Sequence, residues 1–201
     1  MVAPNDDAKR AELAAILSEM RGTYGAGQYC RSDSDCMSGN ELELAMNESK
    51  DYDELLEYWV GWREISKPMR AQYERFVELS NEGAQEFGHA DLGVLWKSKY
   101  DMSATEFEAD TARLWEQVKP LYDELHCHVR AKLGEHYGAD KVPQSGPIPA
   151  HLLGNMWAQE WGFIYDIMEP YPGVSDLDVD STLKTKNYSP QEMVRSAEDF
   201  Y

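Results

Sequence analysis

Residues 103–138, SATEFEADTARLWEQVKPLYDELHCHVRAKLGEHYG, decide the fold. Ser103 stands three residues before Glu106, the spacing of a capping box in which each side chain satisfies the other's backbone N–H. Phe107, Leu114, Val118, Leu121, Leu125, Val129 and Leu133 then recur at helical intervals, so one face of a long helix is apolar. Pro120 removes one rung of the ladder and predicts a kink. Gly138 follows the last apolar turn, where a left-handed glycine cap is expected.

The same pattern extends in both directions. Asp51 and Glu54 form a second capping pattern, and the ridge Leu55, Trp59, Trp62, Ile65, Met69, Tyr73 and Phe76 steps by threes and fours until Pro68 bends or breaks it. Asp7 to Tyr24 carries Leu13, Ile16, Leu17 and Met20 on one stripe. Shorter helical pieces are expected over Glu41–Asn47 and within Asp91–Tyr100, and a longer one over Ala150–Met168. Pro170, Pro172 and Gly173 mark an irregular stretch. Ser189-Pro190-Gln191-Glu192 opens a last helix with Ser at the N-cap, Pro at the first turn and Glu at the third position. No segment alternates convincingly enough for a strand. The fold class is therefore all-α, and residues 1–201 read as one incomplete domain, because the chain stops inside its last helix.

Composition narrows the partners. The chain holds 37 acidic and 19 basic residues, a formal net charge of −18. Phosphate backbones and anionic membrane surfaces both call for the opposite sign, so no nucleic acid is expected. No apolar run approaches the ~20 residues of a bilayer span, so no membrane insertion is expected. The first seven residues, Met1 to Asp7, lack the basic and apolar regions of a signal peptide. Asn47-Glu48-Ser49 is a glycosylation sequon, a triplet common by chance.

Chemistry is harder to find. His89, His126, His128, His136 and His151 include no H-E-x-x-H. His126 and His128, two apart, point about 200° from each other on a helix and cannot chelate one ion. No paired carboxylates, nucleophile elbow or phosphate loop stands out. The polar spacer between Cys30 and Cys36 admits a disulfide, two free thiols or a metal pair. Cys127 falls mid-helix and reads as a small core residue. The densest unusual segment is Gly146 to Trp161, GPIPAHLLGNMWAQEW, where proline presets the entry and Asn155 and Gln159 sit among Trp157 and Trp161. On a helix Trp157 and Trp161 share a face and Gln159 points away.

That run resembles the signature of the angiotensin-converting enzyme family, the zinc peptidyl-dipeptidases. Tyr58-Trp59-Val60-Gly61-Trp62-Arg63 resembles the family's Trp-x-x-Trp-Arg helix. Leu121-Tyr122, His126, Val129-Arg130, His136-Tyr137-Gly138, Pro170-Tyr171-Pro172 and Tyr188-Ser189-Pro190 through Asp199-Phe200-Tyr201 fit further blocks. The resemblance spans about Ala11 to Tyr201, with Cys127 and Pro68 as departures.

The resemblance implies release of C-terminal dipeptides from oligopeptide substrates. It implies zinc held by an H-E-x-x-H helix and a later Glu, all beyond Tyr201, so no metal ligand or catalytic residue lies in this chain and the segment alone is expected to be inactive. It implies that Gln159 hydrogen-bonds the substrate's C-terminal carboxylate. It assigns Arg63 and Trp59 to one chloride site and Tyr100 to a second. It implies that Cys30 and Cys36 are disulfide-bonded and, with that pair, an extracellular or periplasmic setting. The alternative is a non-catalytic helical module for peptide binding or interaction.

Overall fold

The computed structural model describes residues 2–171, 173 and 178–201. Helices α1 (Asp7–Gly25), α2 (Gly39–Glu48), α3 (Tyr52–Ser66), α4 (Arg70–Glu86), α5 (Leu92–Lys97) and α6 (Ala104–Tyr137) lead to short α7 (Tyr165–Met168), α8 (Val179–Thr185) and α9 (Pro190–Phe200). Among the described residues the fold is all-α apart from one small hairpin. Caps account for most of the helix starts. Asp6, Asp51 and Asp91 each accept the N–H three residues on, while Ser38, Ser103 and Ser189 close full capping boxes with Glu41, Glu106 and Glu192. At Asp51 the box is only half made, because Glu54 turns its carboxylate to Ser49, Tyr58 and Arg31 instead.

Two compact units emerge, residues 1–168 and 169–201. In the first, the core joins Leu42 and Met46 of α2, Leu55, Tyr58 and Trp62 of α3, and Val129 and Leu133 of α6 to Ile148, Leu152, Leu153, Met156, Ile164 and Met168. α1 packs on α4 alongside, burying Leu13 and Leu79. Pro68 ends α3 as expected: residues 67–69 tighten into a 3-10 turn before α4 begins. Pro120, where a kink is expected, lies inside α6, which is one helix of 34 residues. Pro120 and Glu116 both face solvent, where water can take the carbonyl left without its partner. In the second unit, Tyr188 N–H closes α8 on the Leu183 carbonyl at 2.9 Å, Asn187 takes φ 51, and the Ser189 box starts α9. Of the Pro170-Tyr171-Pro172 match, Pro172 lies outside the described residues.

Several expectations need correction. Residues 28–38 form a hairpin, β1 (Gln28–Ser32) and β2 (Asp35–Ser38), with Cys30 opposite Cys36 and a disulfide between them. Its strands are too short and polar to alternate. The cross-link and the clasp of Arg31 on Glu54 and Glu57 of α3 hold them instead. Cys127 is a free thiol on the exposed side of α6, because it sits two residues, about 200°, from buried Val129. Val129 and Leu133 are fully buried, whereas Leu114, Val118, Leu121 and Leu125 of the same stripe face outward, Leu121 to 76%. Gly138 takes φ 97, ψ 150, a positive-φ glycine stop outside the left-handed helical basin.

The helix expected over Ala150–Met168 does not form. A 3-10 turn at Ala150–Leu152 stops at Gly154, whose φ of 90 is open only to glycine. A Cβ there would overlap the Glu160 carbonyl oxygen, so the chain folds back on itself at this point. A second 3-10 turn, Trp161–Ile164, then leads into α7.

Candidate functional site

The site grows from the last two turns of α3. Trp59 and Arg63 are one helical turn apart, on one face. Arg63 Nη1 donates to the Trp59 carbonyl at 3.0 Å and Nη2 to the Met156 carbonyl at 2.6 Å. The guanidinium carbon lies 3.2 Å from the centre of the Trp59 ring, so the indole offers its face to the cation. Arg63 is half-buried, and burial lowers its pKa from the usual value, against a raising influence of Tyr24. An arginine stays charged even so. Among the described residues no carboxylate pairs with it, in a chain with 37 acidic residues. Two of its five N–H donors are bound to carbonyls, leaving charge and donors for an anion.

Met156 belongs to the turn that carries Gln159. Asn155, 1% exposed, accepts the N–H of Trp157 at 3.0 Å and of Gln159 at 3.2 Å on one side-chain oxygen. The Ala158 N–H closes on the Asn155 carbonyl at 3.0 Å. Ala158 itself takes φ 57, an uncommon conformation for a residue with a Cβ. Asn47, with its amide nitrogen turned inward, donates to the Gly154 carbonyl at 3.0 Å and ties α2 to the turn. Trp157 and Gln159 therefore stand exposed on a loop, not on the faces of a helix. A neutral carboxamide open to solvent can donate to a carboxylate. Tyr24, Trp62, Met156 and Trp157 line an open cleft of about 220 Å³.

Arg63, Trp59 and the Gln159 turn thus come together through the Met156 carbonyl. Tyr100 does not join them; it follows α5, exposed, with its ring 4.4 Å from Phe107. His126 sits among the rings of Tyr122 and Trp161, and His128 Nε2 meets the Met168 carbonyl at 2.8 Å. Among the described residues no three His, Cys, Asp or Glu side chains gather as a metal-ligand set. No helix among them is long and apolar enough to cross a membrane.

Two groups escaped the sequence reading. His151 is buried 4.6 Å from the Tyr52 ring centre, with no partner for Nε2 among the described residues. Burial drives its pKa down to about 4, opposed weakly by Asp53. Arg31 joins Glu54, Glu57 and Tyr58, and burial together with Glu54 pushes the Tyr58 hydroxyl up to about 12. The signal for His151 was its place inside an apolar Ile-Pro-Ala-His-Leu-Leu run. For Arg31, long-range pairing left no local signal.

The family of angiotensin-converting enzymes, peptidase family M2, matches residues 1–201. Angiotensin-converting enzyme of Sus scrofa is 37% identical over 192 residues, 94% of this chain and 14% of its own length. That of Oryctolagus cuniculus is 40% identical over 198 residues, 96% of this chain and 15% of its length. That of Haematobia irritans exigua is 35% identical over 196 residues, 95% of this chain and 32% of its length. The chain spans from about a seventh to a third of these relatives. With a match from the first residue to the last and more than a third of aligned positions identical, this chain belongs to the angiotensin-converting enzyme family.

Proposed function

We propose that this segment serves a zinc peptidyl-dipeptidase that releases C-terminal dipeptides from oligopeptides outside the cytosol. Residues 1–201 are one part of its catalytic domain, and the zinc ligands come from polypeptide outside them. Gln159 donates its carboxamide N–H to the substrate's terminal carboxylate. Arg63 holds a chloride ion over Trp59, and Tyr100 contributes to a second chloride site with partners from elsewhere.

One observation carries the reading most directly: a half-buried arginine without a carboxylate partner among the described residues is docked, through Met156, on the turn that displays Gln159. An anion on Arg63 neutralises a charge that burial otherwise penalises, and it bears on the substrate-facing turn at the same time. The chloride dependence of the activity follows from that coupling.

The test uses the full-length, zinc-loaded protein. Arg63→Gln should flatten the chloride response of dipeptide release from a blocked tripeptide while zinc content stays at the parent level. The 201-residue segment alone should release no dipeptide. A variant with the parent's chloride response removes Arg63 from the anion site. Zinc-dependent turnover by the isolated segment, abolished by a chelator, would overturn the division of labour.

A further inference from the structure

We infer that Asn155 is a positioning residue for substrate recognition: its carboxamide fixes the backbone from which Gln159 reaches a peptide's terminal carboxylate. The inference rests on the reading of Gln159 as the carboxylate donor. Gln159 is exposed and has no side-chain partner among the described residues, so nothing around its side chain orients it. Its backbone, in contrast, is held from below. Asn155 is 1% exposed, and a single oxygen accepts N–H groups from both Trp157 and Gln159. Its backbone carbonyl takes a third, from Ala158. Three successive backbone N–H groups, of residues 157–159, are thus taken up by one buried residue.

The turn so formed is a conformation that sequence propensity disfavours. Ala158 takes φ 57 where glycine would be at ease, and Gly154 is pressed against the Glu160 carbonyl. Such a turn persists where its surroundings over-determine it. The surroundings are Asn155 within the turn, Asn47 on the Gly154 carbonyl and Arg63 on the Met156 carbonyl. Two of these three hold the outside of the turn. Only Asn155 reaches the Gln159 N–H itself. A backbone held in place fixes the point from which the Gln159 side chain springs and so narrows the positions its carboxamide reaches, whereas a loose turn spreads them.

The consequence is a division between binding and turnover. Losing the Asn155 acceptor should leave the reacting groups untouched and weaken capture of the free C-terminus. In the full-length, zinc-loaded protein, Asn155→Leu should raise KM for a blocked tripeptide with a free C-terminus about tenfold while kcat changes less than twofold. Asn155→Ser, whose hydroxyl is too short to span both N–H groups, should act in the same direction if the leucine variant does not fold. Asn155→Asp restores two-centre acceptance and should bring KM back to within about twofold of the parent. Hydrogen exchange at the Trp157 and Gln159 amides should quicken in the leucine and serine variants and not in the aspartate variant. A fall in kcat with KM unchanged would mean only that less enzyme is folded, and would overturn the inference. So would an aspartate variant as impaired as the leucine one, or unaltered exchange at the two amides. Gln159→Leu is measured alongside: if it leaves KM untouched, the reading of Gln159 itself fails, while the exchange data still report whether Asn155 holds the turn.

Discussion

Replacing His151 by Phe should flatten the acid dependence of stability. His151 is 5% exposed, edge-on to Tyr52, with Nε2 lacking a partner among the described residues. Burial holds its pKa at about 4 in the fold, against 6.5 ordinarily. The folded state resists the proton that the unfolded chain accepts, so stability is full above pH 6.5 and is lost as pH falls from there towards 4. The whole difference is worth about 3 kcal/mol, of which about 2 kcal/mol disappears between pH 7 and pH 5. Carboxylates such as Glu54, held low by hydrogen bonds from Ser49, Tyr58 and Arg31, lose their contribution only below their ordinary value of 4.5, outside that window. Phe keeps a ring against Tyr52 and removes both the proton site and the unpartnered nitrogen. The variant should therefore gain about 1 kcal/mol at pH 7 and lose little by pH 5. Urea midpoints at pH 7, 6 and 5 decide the matter. If His151→Phe loses stability between pH 7 and pH 5 as steeply as the parent, His151 is not the group responsible.

Other perturbations probe the folded-back turn and the two ends of the α6 stripe. Gly154→Ala adds a Cβ at φ 90 against the Glu160 carbonyl and should cost more than about 2 kcal/mol in a thermal melt, with a cost under about 0.5 kcal/mol counting against the turn as described. Leu133→Ala, in the core, should cost about 2–5 kcal/mol in denaturant, and Leu121→Ala, 76% exposed in this chain, less than about 0.5 kcal/mol; equal costs would contradict the burial pattern.

The helices were legible wherever local chemistry sets them. Ser103 with Glu106 and Ser189 with Glu192 announced their starts, and Pro68 its break, because caps and prolines act within one turn of themselves. The failures share a different cause. The turn at Gly154–Trp161 has helical spacing, but Asn155, Asn47 and Arg63 bond its backbone from as far as 93 residues away, and those bonds outweigh propensity. The hairpin is likewise held by a cross-link and by Arg31 reaching α3. Periodicity placed Leu121 and Val129 on one stripe but could not show where along α6 the burial by residues 42–168 begins. Of the site, the pairing of Trp59 with Arg63 was visible as a one-turn step. The carbonyl of Met156 that holds Arg63 was not, since backbone groups carry no mark in sequence.

The core of the first unit has a bearing on how the chain is made. Leu42, Leu55, Tyr58 and Trp62 leave the ribosome first, and side chains that cover them, Ile148 through Met168, are synthesised about 100 residues later. At roughly 5–20 residues per second, the apolar faces of α2 and α3 stay without their final cover for roughly 5–20 seconds. In that interval the hairpin is already at hand, drawn over α3 by Arg31 with Tyr29 lying against Tyr58 at 6.0 Å, as is α1, whose Tyr24 stands 5.4 Å from Trp62. The Cys30–Cys36 hairpin and α1 both precede α3 in the chain, so part of the cover of α3 is made before it, and the Gln159 turn completes the core last.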